Sequence, residues 1–180
     1  LIDAYFSQDF YICLSINIMS SLQNNKQFLK DLELGLKSED SSMPYLTEIF
    51  GELWNTGTDL GDRFNKYDFR SKTLPIKVEL KTRRCDFGDY PDLQFELGKI
   101  EDGIKFCKDN EGGRCFFIWR CIGKNGSHWG KERFYWWELK DGEWFKGMGG
   151  RNDRGRDEWK MLCKIKNEYI NPLFSHKPTL

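Results

Sequence analysis

Several things are scarce in this chain of 180 residues. There are only two histidines, His128 and His176. One sits in a Gly-Ser turn and the other near the C-terminal end, so no Ser/His/Asp or Cys/His catalytic set can be assembled. The six cysteines (Cys13, Cys85, Cys107, Cys115, Cys121, Cys163) form no CxxC pair. No Cys/His grouping has zinc-site spacing either. These thiols read as reduced, small apolar residues of an intracellular protein, in cytoplasm, nucleus or an infected cell. Net charge is absent too: 28 basic residues balance 28 acidic ones. A nucleic-acid partner must therefore be met by a local basic patch. Long apolar runs are missing as well. Phe10 to Met19 is short, is interrupted by Asn17, and lacks a basic leader and a cleavage site. It reads as neither a signal peptide nor a membrane span. The Gly147-Met148-Gly149-Gly150 run has no Lys-Ser/Thr after it, which excludes a P-loop.

Aromatic residues are plentiful, at 16%. The length is that of one domain with a real core. Residues 1–42 are expected to form an N-terminal helical extension used for packing or dimer contact, with Tyr11 to Ile16 equally readable as a buried strand. Ser38-Glu39-Asp40-Ser41-Ser42 reads as a polar break. A second helix is predicted from Met43, with Ser42 as N-cap and Pro44 in the first turn. Its apolar stripe is Tyr45, Leu46, Ile49, Phe50, Leu53 and Trp54, and it ends at Asn55-Thr56-Gly57. Glu48 and Glu52 share one of its faces.

A hairpin is predicted next, from Lys66 to Arg70 and from Ile76 to Thr82. Strand alternation puts Ile76, Val78 and Leu80 on one face and Lys77, Glu79 and Lys81 on the other. Tyr67 and Phe69 are expected to share a face, with Asp68 opposite. Asp68, Glu79 and Lys81 then emerge together. Two carboxylates and an ammonium in one patch suit a hard divalent cation and a water beside it. The competing reading is a solvated strand face.

Further along, Leu93 to Leu97 reads as a strand ended by Gly98, and Lys99 to Lys108 as a helix stopped at Asn110 and Gly112-Gly113. Cys115 to Ile122 reads as a buried strand. Phe134 to Leu139 pairs back, and Glu143 to Phe145 extends the same sheet after the Asp141-Gly142 turn. Phe134-Tyr135-Trp136-Trp137 is either sheet core or a stacking platform for single strands. Gly147 to Arg156 reads as a flexible glycine-rich loop whose Arg151, Arg154 and Arg156 suit phosphate contact, or as plain surface loop. A last strand runs from Trp159 to Ile165.

The order helix, hairpin, strand, helix, strand, with Glu48, Asp68 and Glu79-Leu80-Lys81 in sequence, resembles the PD-(D/E)xK nuclease superfamily, the restriction-endonuclease-like fold. The resemblance covers about residues 43–122, and Tyr67 stands where the family often has proline before the Asp. It implies an α/β domain over 43–180, a central mixed β-sheet flanked by helices. It also implies a metal-dependent endonuclease hydrolysing phosphodiester bonds in DNA. Asp68, Glu79, the Leu80 backbone carbonyl and Glu48 would hold Mg²⁺, with Mn²⁺ able to substitute, and Lys81 would orient the attacking water. Arg83, Arg84, Lys99 and the three loop arginines would contact phosphates. Gln94 and Lys99 stand where some members carry a supporting residue. A homodimer would suit double-strand cleavage. The alternative is a catalytically silent nucleic-acid-binding module of the same fold.

Overall fold

The computed structural model describes residues 8–62, 65–151 and 158–180. These residues form a mixed α/β structure with two α-helices and two β-sheets. Helix α1 spans Gln8–Phe50 and α2 spans Leu97–Asp109. The strands are β1 (Leu53–Asn55), β2 (Phe69–Ser71), β3 (Ile76–Arg83), β4 (Asp92–Glu96), β5 (Arg114–Cys121), β6 (Phe134–Glu138), β7 (Trp144–Arg151), β8 (Glu158–Lys166) and β9 (Asn171–Pro172). The larger sheet has the order β1-β2-β3-β5-β6-β9, and the smaller has the order β4-β8-β7. Among the described residues only β3 and β5 run parallel, in register from Ile76 opposite Arg114 to Arg83 opposite Cys121. A parallel pair needs a long crossover, and β4 with α2 supplies it.

The larger sheet is covered on both faces. Leu46, Ile49 and Phe50 of α1 pack on Phe69, Ile76, Val78, Leu80, Phe116 and Ile118. On the opposite face Ile100 of α2, Leu93 and Phe95 of β4, and Cys163 and Ile165 of β8 pack on Cys115, Phe117, Trp119 and Trp137. Alternate residues of β5 thus feed two cores, which is why all of Cys115–Cys121 is buried. The same holds for β6: Phe134 lies in the α1-side core and Trp137 in the other. The aromatic run at 134–137 is sheet core, not a platform open to bases.

Four expectations are corrected. First, α1 is continuous through Ser38–Ser42, across the boundary placed between residues 42 and 43. The polar run is no break because its hydroxyls face inward. Ser42 is fully buried, and Arg120, itself 1% exposed, donates to Ser41 Oγ at 2.7 Å and Ser42 Oγ at 2.9 Å. Its other terminal nitrogen donates to the Trp129 carbonyl at 2.6 Å. Ser38 also meets Thr82 of β3, hydroxyl to hydroxyl. A buried guanidinium must be hydrogen-bonded, and the serines of α1 do that work. Second, α1 stops at Phe50 rather than Asn55, since Gly51 takes the left-handed conformation (φ +73°) of a helix terminator and Leu53–Asn55 becomes an edge strand. Third, Trp144 and Phe145 open β7 of the smaller sheet, and Gly147 to Arg151 is strand, not loop. A Cβ at Gly147 would press on the Lys164 side chain at 2.8 Å, and one at Gly149 would overlap Leu162. The glycines admit cross-strand side chains; they do not mark a mobile loop. Fourth, Tyr67 and Phe69 lie in opposite cores. Lys66 to Asp68 form a bend, and strand alternation starts only at Phe69.

Candidate active site

The site forms where β2 leaves β3. Strand β2 pairs with β3 only at Val78 and Lys77, so the β3 edge beyond Val78 needs another partner. Asp68 supplies it: the Leu80 N–H donates to Asp68 Oδ2 at 2.8 Å. In a strand the N–H and C=O of one residue point to the same edge, so the Leu80 carbonyl faces the Asp68 side as well. Asp68 is itself clamped through its backbone. Its carbonyl accepts from the Thr56 N–H at 2.9 Å, and the preceding Tyr67 carbonyl accepts from Thr56 Oγ1 at 2.5 Å.

Glu79 projects from β3 to the α2 side and is 2% exposed. One of its oxygens accepts from the Lys99 ammonium in the first turns of α2. The other, Oε2, is buried without a hydrogen-bond partner. Close packing of α2 places Lys99 there. The Tyr67 hydroxyl donates to the Lys99 carbonyl at 2.6 Å, and Gly103, one turn on, admits that hydroxyl where any Cβ would overlap it.

The electrostatics follow from the crowding. Burial pushes the Glu79 carboxyl well above the usual range. Asp68 pushes it further, and Lys99 and Lys81 only partly offset this. Burial likewise raises Asp68, against the pull of Lys99, the Leu80 N–H and Lys81. Burial works against the Lys99 ammonium, but Glu79 and Asp68 more than compensate and hold it above the ordinary lysine range. Lys81 is lowered by burial and by Arg83, with Glu79 opposing. Asp68, Glu79, Lys81 and Lys99 are thus one interacting group.

A third carboxylate comes from α1, and it is Glu39. Burial and then the Asp68 charge raise it, while Asn55 Nδ2 donates to its Oε2 at 2.9 Å. Asn55 is buried, and its register partner Phe69 follows Asp68 in the chain. Glu48, the helix residue expected here, lies elsewhere. It is exposed and paired with Lys131 at 2.5 Å and Lys177 at 3.2 Å. Glu52 pairs with Lys72 at 3.5 Å. The signal for Glu39 was its place within a run of inward-facing hydroxyl residues, legible only once α1 is continuous.

The remaining expected residues divide. Lys99 is the partner of Glu79 inside the site. Arg83 donates to the Gln94 carbonyl at 3.4 Å, and Gln94 donates to Asp92 at 2.8 Å. Arg83, Arg84 and Gln94 line a cleft of about 250 Å³ with Cys85, Tyr90, Asp92 and Leu93. Arg151 ends β7, and Arg154 and Arg156 lie outside the described residues. No protein-family model matches the chain, and no curated protein or solved structure matches it.

Among the described residues no three His, Cys, Asp or Glu side chains converge into a ready cage for a metal ion. The pair Asp68–Glu79 nevertheless suits a hard divalent cation. It offers oxygen donors only, it holds a buried carboxylate oxygen with no partner, and its mutual repulsion is relieved by positive charge. Among the same residues, no helix is long and apolar enough to cross a membrane.

Proposed function

We propose that this protein is a metal-dependent nuclease of the PD-(D/E)xK type, hydrolysing phosphodiester bonds in DNA. The observation that carries the reading is the buried pair Asp68–Glu79, with an unpartnered Glu79 oxygen, flanked by Lys81 and Lys99 on adjoining elements. Buried carboxylates without a structural reason are costly, and a site that keeps two of them beside two lysines has charge to place on a ligand.

Asp68, Glu79 and the Leu80 carbonyl would hold Mg²⁺ or Mn²⁺, with Glu39 in the place expected of Glu48. A bound ion supplies Lewis-acid polarisation of the phosphate and a water of lowered pKa. The protein's own groups do the rest. Asp68 is fixed by the Leu80 N–H, so its second oxygen is aimed by the backbone. Lys99 holds the Glu79 carboxylate in one orientation, and Tyr67 holds Lys99. Lys81, two residues along β3 from Glu79 and lowered by burial, would orient a water or donate to a phosphate oxygen as negative charge develops. Arg83 and Arg84 at the adjoining cleft offer guanidinium groups to the flanking phosphates.

A silent nucleic-acid-binding module is the second reading, because Lys99 already occupies one Glu79 oxygen with the positive charge an ion would bring. One panel separates them. Supercoiled plasmid, structured DNA and labelled single-stranded RNA are incubated with the protein in Mg²⁺, Mn²⁺ or EDTA. The nuclease reading predicts cleavage that needs the metal and is lost in Asp68→Ala and Lys81→Ala. Binding with no cleavage in any metal overturns it in favour of the silent module.

A further inference from the structure

The hairpin of β7 and β8 is longer than the sheet that supports it. Strand β4 pairs with β8 only from Asp92 opposite Lys166 to Glu96 opposite Leu162. Beyond Leu162 the hairpin runs on with two strands. Along β8, Trp159, Met161, Cys163 and Ile165 share a face. At the supported end that face is core: Cys163 and Ile165 are fully buried. At the overhanging end the same face is bare. Met161 is 45% exposed, its cross-strand partner Met148 is 52% exposed, and Trp159 is 66% exposed. Trp159 is the most exposed large apolar side chain among the described residues. An indole left in water on a core-facing surface needs an explanation.

Its surroundings indicate what covers it. Lys160, between Trp159 and Met161, is bonded at 3.0 Å to Glu96. Glu96 immediately precedes α2, whose Lys99 holds Glu79. The Glu96 carboxylate feels Lys160 first, and then Lys81 and Lys99. The overhang is therefore tied to the rim of the candidate active site. Lys146, whose register partner is Cys163, shares this face with Met148 and Met161, whereas Lys160, Lys164 and Lys166 alternate to the other face of β8. A planar aromatic ring, two thioethers and the ammonium of Lys146 on one face, in a hairpin tied to the candidate site, match the makeup of a strand-binding surface, where bases stack and phosphates meet ammonium groups.

Building on the nuclease reading, we propose that Trp159, backed by Met148 and Met161, is a stacking platform for an unpaired base next to the scissile phosphate. The preferred substrate then carries a single-stranded segment, such as a tail, flap or splayed junction, on the β7–β8 side of the site. A fully paired duplex has its bases stacked on one another and offers this face nothing.

The test is anisotropy binding in EDTA, which removes cleavage from the readout. The probes are a labelled 20-nucleotide single strand, a blunt duplex of the same sequence, and that duplex with a single-stranded tail. A second set carries 2-aminopurine in the tail, whose emission is quenched on stacking. Trp159→Ala should weaken single-strand and tailed-duplex binding by about 5- to 150-fold, the range one lost base–aromatic stack implies. It should leave blunt-duplex binding within about twofold and abolish the 2-aminopurine quench. Trp159→Phe should restore most of both. An unchanged melting curve for Trp159→Ala shows that folding is intact. Equal affinity of Trp159→Ala and the parent protein for all probes overturns the proposal. So does a concentration-dependent dimer that Trp159→Ala dissolves, since a second copy then covers the face. Metal-dependent cleavage with binding indifferent to Trp159 leaves the nuclease reading standing and removes the platform. A Trp159-dependent quench with no cleavage in Mg²⁺ or Mn²⁺ does the reverse.

Discussion

Glu79→Gln isolates the electrostatic cost at the centre of the site. The folded-state pKa of Glu79 is raised above its ordinary value of 4.5 by burial and by Asp68. Above pH 4.5 the unfolded chain has released this proton while the folded chain still holds it. Stability is therefore full below that pH and is lost as pH rises toward the folded value. The loss is about 1.4 kcal/mol per pH unit for one group. Asp68 and Glu39, also raised, act in the same direction, Asp68 from its ordinary 3.8. The amide keeps the shape of Glu79 and cannot ionise. Urea unfolding between pH 5 and pH 8 in EDTA should show a slope shallower by about 1.4 kcal/mol per unit for Glu79→Gln than for the parent chain, over the window in which Glu79 titrates. Adding Mg²⁺ should stabilise the parent at pH 8, by about 2.7 kcal/mol at one hundred times its dissociation constant, and should leave Glu79→Gln nearly unmoved. Identical pH slopes for the two proteins, or equal stabilisation of both by Mg²⁺, would refute the reasoning.

Three further outcomes follow from the packing. Gly103→Ala sets a methyl group against the Tyr67 hydroxyl and within 3.0 Å of Leu139; it should cost about 1–3 kcal/mol in urea unfolding and depress cleavage by displacing Lys99. Arg120→Ala empties a buried position between Ser41, Ser42 and the Trp129 carbonyl; a loss of about 3 kcal/mol is expected, read as a shifted denaturation midpoint at unchanged slope. Glu39→Gln should cut plasmid cleavage strongly, whereas Glu48→Gln, far from the site, should cleave at the parent rate.

Much of the candidate site is legible in the chain because strand alternation is local. Ile76, Val78 and Leu80 against Glu79 and Lys81 needs no tertiary knowledge, and β3 has that pattern. What is covered by what is not local. The charged face of β3 was open to reading as solvated, yet α2 seals Glu79 beneath Lys99. Glu39 was hidden because a serine-rich run resembles a helix break until a buried guanidinium, 79 residues from Ser41, is seen to use its hydroxyls. The glycines of β7 resembled a loop for a similar reason: the side chains of Lys164 and Leu162 that fill their space come from another strand. Tyr67 and Phe69 share a face only if β2 begins at Lys66, three residues before its actual start at Phe69 and across a bend.

The nuclease reading requires Asp68 and Glu79 together to bind one hard divalent cation. Titrating the protein with Mn²⁺ and following free Mn²⁺ by electron paramagnetic resonance tests it without reference to any substrate. Saturable binding is expected that Mg²⁺ displaces, that Asp68→Asn and Glu79→Gln each abolish, and that Glu48→Gln leaves intact. Mn²⁺ binding that survives both Asp68→Asn and Glu79→Gln, or no binding by the parent chain, would contradict it.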